Sequence, residues 1–247
     1  ETVWEDPRWA GLESWSDVMP QHYAMAQRML GATPYPRMTQ ADEIMLEYAR
    51  SIGTEDSFEA ANVGVFFGEP GVQVPDPYFG GRGPDRKGCN HCGGCMTGCR
   101  FGAKNTLDQN YLYLAEQGGA QVIAERKVVA IIPLETGGYE LQTERSTAWL
   151  FKDRVSYTAE NVVLSAGVLG TVPLLMRCKE RGLLPRISDA LGTYVRTNSE
   201  AILGVSSRDP DADFTDGVAI TSKIALDEHT HLEPVRYSKG SDALSML

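Results

Sequence analysis

Eleven residues, Cys89-Asn90-His91-Cys92-Gly93-Gly94-Cys95-Met96-Thr97-Gly98-Cys99, hold four of the chain's five cysteines at the spacing C-x2-C-x2-C-x3-C. Thiolates two or three residues apart can meet at one centre if the backbone wraps around it, and Gly93 and Gly94 permit that wrap. The segment therefore reads as a tight loop. Three occupants fit the residue types. The spacing is that of bacterial iron–sulfur ferredoxins, with Cys89, Cys92, Cys95 and Cys99 as ligands, although Arg100 stands where ferredoxins carry proline. A structural zinc is the second, with His91 as an added donor. The third is a set of reduced thiols packed in the loop.

The rest of the composition narrows the class. A net charge of −10, with no basic stripe, argues against a nucleic-acid binder. At 247 residues and 42% apolar content the chain can bury one large or two smaller domains. No signal-peptide pattern or membrane-length apolar run is present. Clustered cysteines do not resemble a secreted disulfide framework, so a cytoplasmic, reducing setting is expected. The sequence opens Glu1-Thr2-Val3-Trp4 without methionine, and the expectation is a central piece of a longer protein.

Periodicity gives the elements. Val18–Leu30 is amphipathic and stops at Gly31. Thr39–Ile52 carries Ile44, Met45, Tyr48, Ala49 and Ile52 at helical spacing before Gly53. These stripes, with Trp4, Trp9 and Trp15, read as core packing. Val63–Phe67 is a short strand, and Gly68–Gly88 is a Gly/Pro-rich loop of the length that is usually functional or disordered. Thr106–Glu116 reads as a helix ended by Gly118-Gly119. An antiparallel meander follows, over 120–124, 127–133, 139–143 and 155–159. Asn161–Gly167 suits a strand buried on both faces, and Thr171–Arg181 is a helix with Pro173 in its first turn. Strands resume at 201–205, 217–222 and 231–237. The predicted class is α/β to α+β.

The turn Ser165-Ala166-Gly167-Val168-Leu169-Gly170-Thr171 joins that strand to that helix. Its glycines and the helix N-terminus suit contact with a phosphate or flavin, or simply a tight α/β turn. It is not the G-x-G-x-x-G fingerprint. Lys104 and Arg100 flank the cysteine loop, either to neutralise an anionic group or as a solvated flank. Cys178 reads as an isolated core thiol.

Taken together, Cys95-Met-Thr-Gly-Cys-Arg-Phe-Gly-Ala-Lys-Asn-Thr-Leu107, Asn110-Tyr-Leu112, Val162-Val-Leu-Ser-Ala-Gly-Val-Leu-Gly-Thr171, Leu184-Pro185 and Leu191-Gly192 resemble the glucose–methanol–choline (GMC) family of FAD-dependent oxidoreductases, in particular its sterol-oxidising branch. The resemblance runs from about residue 5 to the end. It implies a Rossmann-type FAD domain and a substrate domain with an antiparallel sheet and helices. Residues 1–105 would be helical and loop parts of the substrate or cap region, 106–197 part of the FAD domain, and 198–247 the start of the substrate-domain sheet. The family's G-x-G-x-x-G and its catalytic His with an Asn or His partner have no counterpart in this sequence.

The resemblance also implies roles. Val128 would pair its backbone with the adenine of FAD, and Ala166 and Gly167 would lie beside the ADP portion. Glu233, in His231-Leu232-Glu233-Pro234, would face the substrate as a base; a carboxylate held near an apolar steroid would have a raised pKa. His229 and His231 would line the cavity or meet solvent. The implied reaction passes a hydride from a bulky hydrophobic alcohol such as a sterol to flavin, with oxygen or a redox partner as final acceptor. The rival reading is an electron-transfer or metal-binding module centred on the cysteines.

Overall fold

A computed structural model describes residues 2–195, 199–209 and 211–241. In chain order the elements are α1 (Trp15–Leu30), β1 (Ala32–Pro34), α2 (Gln40–Ile52), β2 (Glu59–Ala60), β3 (Asn62–Gly64), β4 (Gln73–Val74), β5 (Arg86–Lys87), α3 (Tyr111–Gln117), β6 (Arg126–Pro133), β7 (Tyr139–Arg145), β8 (Val155–Ala159), α4 (Gly167–Glu180), β9 (Ser222–Ala225) and β10 (His231–Leu232). They form two compact units. The first comprises residues 1–120 with 203–247, the second residues 121–202.

In the first unit the sheets are small and antiparallel. β1 pairs with β3, β4 with β5, and β9 lies between β10 and β2. α1 and α2 end where predicted, on Gly31 and Gly53 in the left-handed conformation that glycine adopts without steric cost. The apolar face of α2 is narrower than its periodicity indicates. Met45 and Ala49 are buried with Ile224, whereas Ile44, Tyr48 and Ile52 stay largely exposed. The tryptophans also depart from the core expectation. α1 has no fully buried residue, and Trp4 and Trp15 stack half-buried with centroids 6.5 Å apart.

What fastens α2 is polar. Thr39 caps it, with its N–H and Oγ1 both donating to Asp42 Oδ2, at 2.8 and 2.7 Å. This is a capping box closed by aspartate. The other carboxylate oxygen accepts from Thr221 Oγ1 at 2.5 Å and Ser222 Oγ at 2.6 Å. Arg236, also buried, donates to Thr39 Oγ1, Thr221 Oγ1 and the Asp216 carbonyl. Burial opposes the Asp42 charge, but these donors outweigh it and hold the carboxyl below its usual range.

The Gly/Pro-rich stretch is ordered by two charges. The Asp76 carboxylate accepts backbone N–H groups from Tyr78, Phe79, Gly81 and Gly83. Arg86 is buried and donates to neutral acceptors: Asn105 Oδ1 at 3.0 Å, the Pro84 carbonyl at 2.9 Å, and both Gln109 oxygens. These bonds tie the loop to the segment before α3. That segment is not one helix. A 3-10 turn, Leu107–Gln109, precedes α3, and between them the buried Asn110 leaves helical geometry and accepts the Tyr111 N–H.

The second unit contains the meander β6-β7-β8, with registers Ile131↔Leu141 and Leu141↔Tyr157 and a bulge between Val128 and Ala130. α4 packs on it through Leu174 and Cys178 against Ile131, Val128 and Leu141. Three predicted strands are absent, and the one predicted over 217–222 is displaced to β9, with isolated bridges at Gly217 and Ile220 before it. Residues 120–124 and 161–166 are irregular, as are 201–205, which adjoin the boundary of the two units. Val122, Val163 and Ile202 are exposed. A strand buried on both faces needs strand neighbours and a covering layer on each side. The described residues of the second unit form only the antiparallel meander. α4 begins at Gly167, earlier than predicted, which places Pro173 inside the helix rather than in its first turn.

Replacing Asp42 with Asn should destabilise the fold by about 3 kcal/mol, since one acceptor oxygen and the buried charge are lost together. The pH dependence follows from the lowered carboxyl: its stabilisation is complete above the unfolded-state pKa and is lost as pH falls through the folded one. Urea unfolding at neutral and acidic pH should therefore show a shallower acid loss in Asp42→Asn than in the parent.

Candidate functional site

The cysteine loop wraps as its glycines permit. Gly93, Gly98 and Gly102 take positive φ, and so does His91, at 57°. Gly93 is confined as well as left-handed: a Cβ there would lie 2.5 Å from the Thr215 carbonyl oxygen and 2.9 Å from that of Tyr237. The loop is clamped by a two-way exchange in which Gly93 N–H donates to the Gly217 carbonyl and Gly217 N–H to that of His91, at 2.8 and 2.9 Å.

All four cysteines line one small pocket, closed by Val65, Phe101, Ala103 and Gly217. Cys89 is buried, Cys95 and Cys99 are half-buried, and Cys92 is exposed. Burial pushes the Cys89 thiol up to about 11 and also raises Cys95. Partial burial also acts to raise Cys99, but backbone N–H groups of residues 101–104 outweigh it and hold the thiol below its usual value. No group of three or more His, Cys, Asp or Glu side chains among the described residues is arranged to hold a metal ion. The predicted ligands thus share a pocket without converging on a single metal-binding point. His91, the added zinc donor of the sequence reading, is engaged elsewhere. Its ring stacks on Phe67, with centroids 5.8 Å apart, and Nδ1 lies 3.1 Å from the Tyr35 hydroxyl. Burial raises Tyr35 to about 12 and lowers His91, which favours the uncharged form of both. Lys104 Nζ donates to the Cys95 carbonyl at 3.1 Å, while Arg100 stays exposed.

The residues assigned to flavin lie in the second unit. Val128 sits on β6 at the start of the bulge, packed against the Ile131–Leu174–Cys178 cluster that holds α4. β6 is an edge strand, so one side of its ladder is unpaired among the described residues. Ala166 and Gly167 open α4; Gly167 has φ +64°, and no atom stands within 4 Å of where its Cβ would be. The N-cap residue Ala166 has no capping side chain, and its own N–H donates to Thr171 Oγ1 at 3.2 Å. Around it Val163, Val168 and Leu169 are exposed, Leu169 by 92%. An open ladder edge, an uncapped helix start and bare apolar side chains have the chemistry to take a flavin nucleotide's ADP portion.

Glu233 belongs to the first unit. It follows β10 and is half-buried, with Oε1 3.6 Å from His231 Nε2. His229 pairs with Glu228 in solvent. Sequence reasoning missed the Asp42–Arg236 network and buried Arg86. Thr39-Gln-Ala-Asp42 is a capping-box pattern that signals the former; nothing local signals the latter.

Residues 82–179 match the family model for GMC oxidoreductases. With the whole-chain relatives given next, this makes the chain similar to GMC oxidoreductases. In particular, all of it aligns with cholesterol oxidases from Acinetobacter baumannii, at 47% identity over 46% of that protein, and from Mycobacterium tuberculosis (strain H37Rv), at 48% over 44%. The chain thus spans just under half the length of these relatives.

Gly93→Ala tests the loop geometry. Left-handed backbone and the carbonyl contacts should together cost about 2 kcal/mol, in the range for strained sites. Local opening that exposes Cys89 and Cys95 should then speed their alkylation more than tenfold, read by peptide mass spectrometry, with Cys178 unchanged.

Proposed function

We propose that this chain is the central part of a flavoprotein that oxidises a bulky hydrophobic alcohol, a sterol foremost. The observation that carries the reading lies in the second unit: β6, an edge strand carrying Val128, packs against α4, the helix that Ala166-Gly167 open. The family-model match over residues 82–179 and the names of the whole-chain relatives support it. The domain division predicted from sequence, with a Rossmann-type fold around residues 106–197, is part of the same proposal.

FAD, when bound, would supply the hydride acceptor; the protein's part is positioning and proton handling. Backbone groups of β6 at Val128 would fix the adenine. First-turn N–H groups of α4 would face the pyrophosphate, and Gly167 would let the backbone approach it closely. Glu233 would take the hydroxyl proton at its carboxylate, with His231 beside it to orient the group. Oxygen as final acceptor is inferred from the relatives' name alone. The five free cysteines agree with a reducing, cytoplasmic setting, and among the described residues no helix is long and apolar enough to cross a membrane.

Two variants of the full-length protein check this. Gly167→Val should lower bound FAD per chain at least tenfold, because a β-branched residue resists left-handed φ. Glu233→Gln should lower turnover of a sterol about 10²- to 10⁴-fold and leave FAD content unchanged. Undiminished turnover in Glu233→Gln removes that residue from the mechanism. Full flavin content in Gly167→Val removes the helix start from the cofactor site.

A further inference from the structure

We propose that the cysteine loop is a reversible oxidation site: a hydroperoxide oxidises Cys99, and Cys95 then closes on it as a disulfide. The inference does not depend on the flavin reading. Four free thiols line one cavity of about 10 Å³, room for about one water. Asn90 and Lys104 share its wall with apolar and glycine residues. A space that small holds no further group of any size, and it keeps the sulfurs on its wall within a short movement of one another. Joining two of them needs no added room, because a disulfide replaces a contact with a bond of about 2.05 Å. In a reducing setting such a bond is transient and serves redox chemistry or sensing.

The four thiols are not equivalent. Backbone N–H groups of Phe101, Gly102, Ala103 and Lys104 turn on Cys99. Such donors favour negative charge on its sulfur, the form that attacks a peroxide. Cys99 is half-buried, within reach of a small oxidant, whereas Cys89 is buried and takes the His91 N–H on its sulfur at 3.4 Å. Cys95 feels the charge of Cys99 more strongly than that of Cys92, which marks Cys99 as its partner. Between the two, Gly98 has φ 103° and open space where a Cβ would be, so the backbone there can turn as the sulfurs meet. Around Cys92 the loop is fixed instead, since the exchange with Gly217 holds both of its flanks.

In the first step the Cys99 thiolate attacks one peroxide oxygen. An S–O bond forms, the O–O bond breaks, and the leaving oxygen takes a proton from water. Sulfur is oxidised to the sulfenic acid, and the hydroperoxide is reduced to an alcohol, or to water from hydrogen peroxide. The Cys95 thiol then gives up its proton, and its sulfur displaces hydroxide from Cys99. That hydroxide leaves with the proton as water. An external dithiol, itself oxidised to a disulfide, restores both thiols.

The test uses full-length protein that is reduced, desalted and treated with a few equivalents of hydrogen peroxide, after which free thiols are alkylated in denaturant. Tandem mass spectrometry of the tryptic peptide spanning residues 88–100 reads all four loop cysteines at once. Expected is a Cys95–Cys99 bond, fully reversed by dithiothreitol, with Cys89, Cys92 and Cys178 alkylated. Cys99→Ser should slow the loss of loop thiols more than tenfold while circular dichroism holds. Cys95→Ser should leave a sulfenic acid on Cys99 that dimedone traps, and this readout serves if the first variant does not fold. Four alkylated loop cysteines after peroxide, a bond that joins another pair, or oxidation of folded Cys99→Ser at the parent rate each overturns the proposal.

Discussion

One buried carboxylate organises the first unit. Asp42 accepts four hydrogen bonds, two from its own helix cap and two from hydroxyls about 180 residues away. Thr39 Oγ1 links it to Arg236, donating to the acid and accepting from the base. A buried charge is costly unless satisfied in this way. The network therefore tolerates essentially one path for the returning chain, and that path brings Gly217 to the flanks of Cys92. The shape of the cysteine pocket depends on a contact that contains no cysteine.

The second unit is arranged on a different principle. Its core is apolar, Ile131 with Leu174 and Cys178, and Arg126 pairs with Asp153 near the surface. Surface pairs of that kind contribute little. Stability there rests on the meander register and on α4 lying across it. β6 is an edge strand among the described residues, and α4 opens at Gly167, where no atom stands within 4 Å of a Cβ position.

Much of this was legible in the sequence, for reasons that differ by element. β8 falls on its predicted residues and β7 begins where predicted, because alternation and flanking turn glycines specify an antiparallel strand locally. α2 was legible through its spacing and Gly53, but the width of its buried face was not, since neighbours decide that. Residues 161–166 failed for the opposite reason: a parallel strand is defined by neighbours, and the described residues provide none. The cysteine pocket was legible as a shared loop and not as a metal site. Arg86 was illegible, because an arginine in a Gly/Pro-rich stretch reads as solvated until Asn105 and Gln109 are known to surround it.

We propose that this chain belongs to an enzyme that moves a hydride from a hydrophobic alcohol to flavin. The most direct test is to mix full-length, FAD-loaded protein with a sterol without oxygen and follow the flavin absorbance. The account predicts bleaching at a rate that saturates with sterol, with one ketone formed per flavin reduced. Flavin that stays oxidised with sterols and with other bulky hydrophobic alcohols would contradict it.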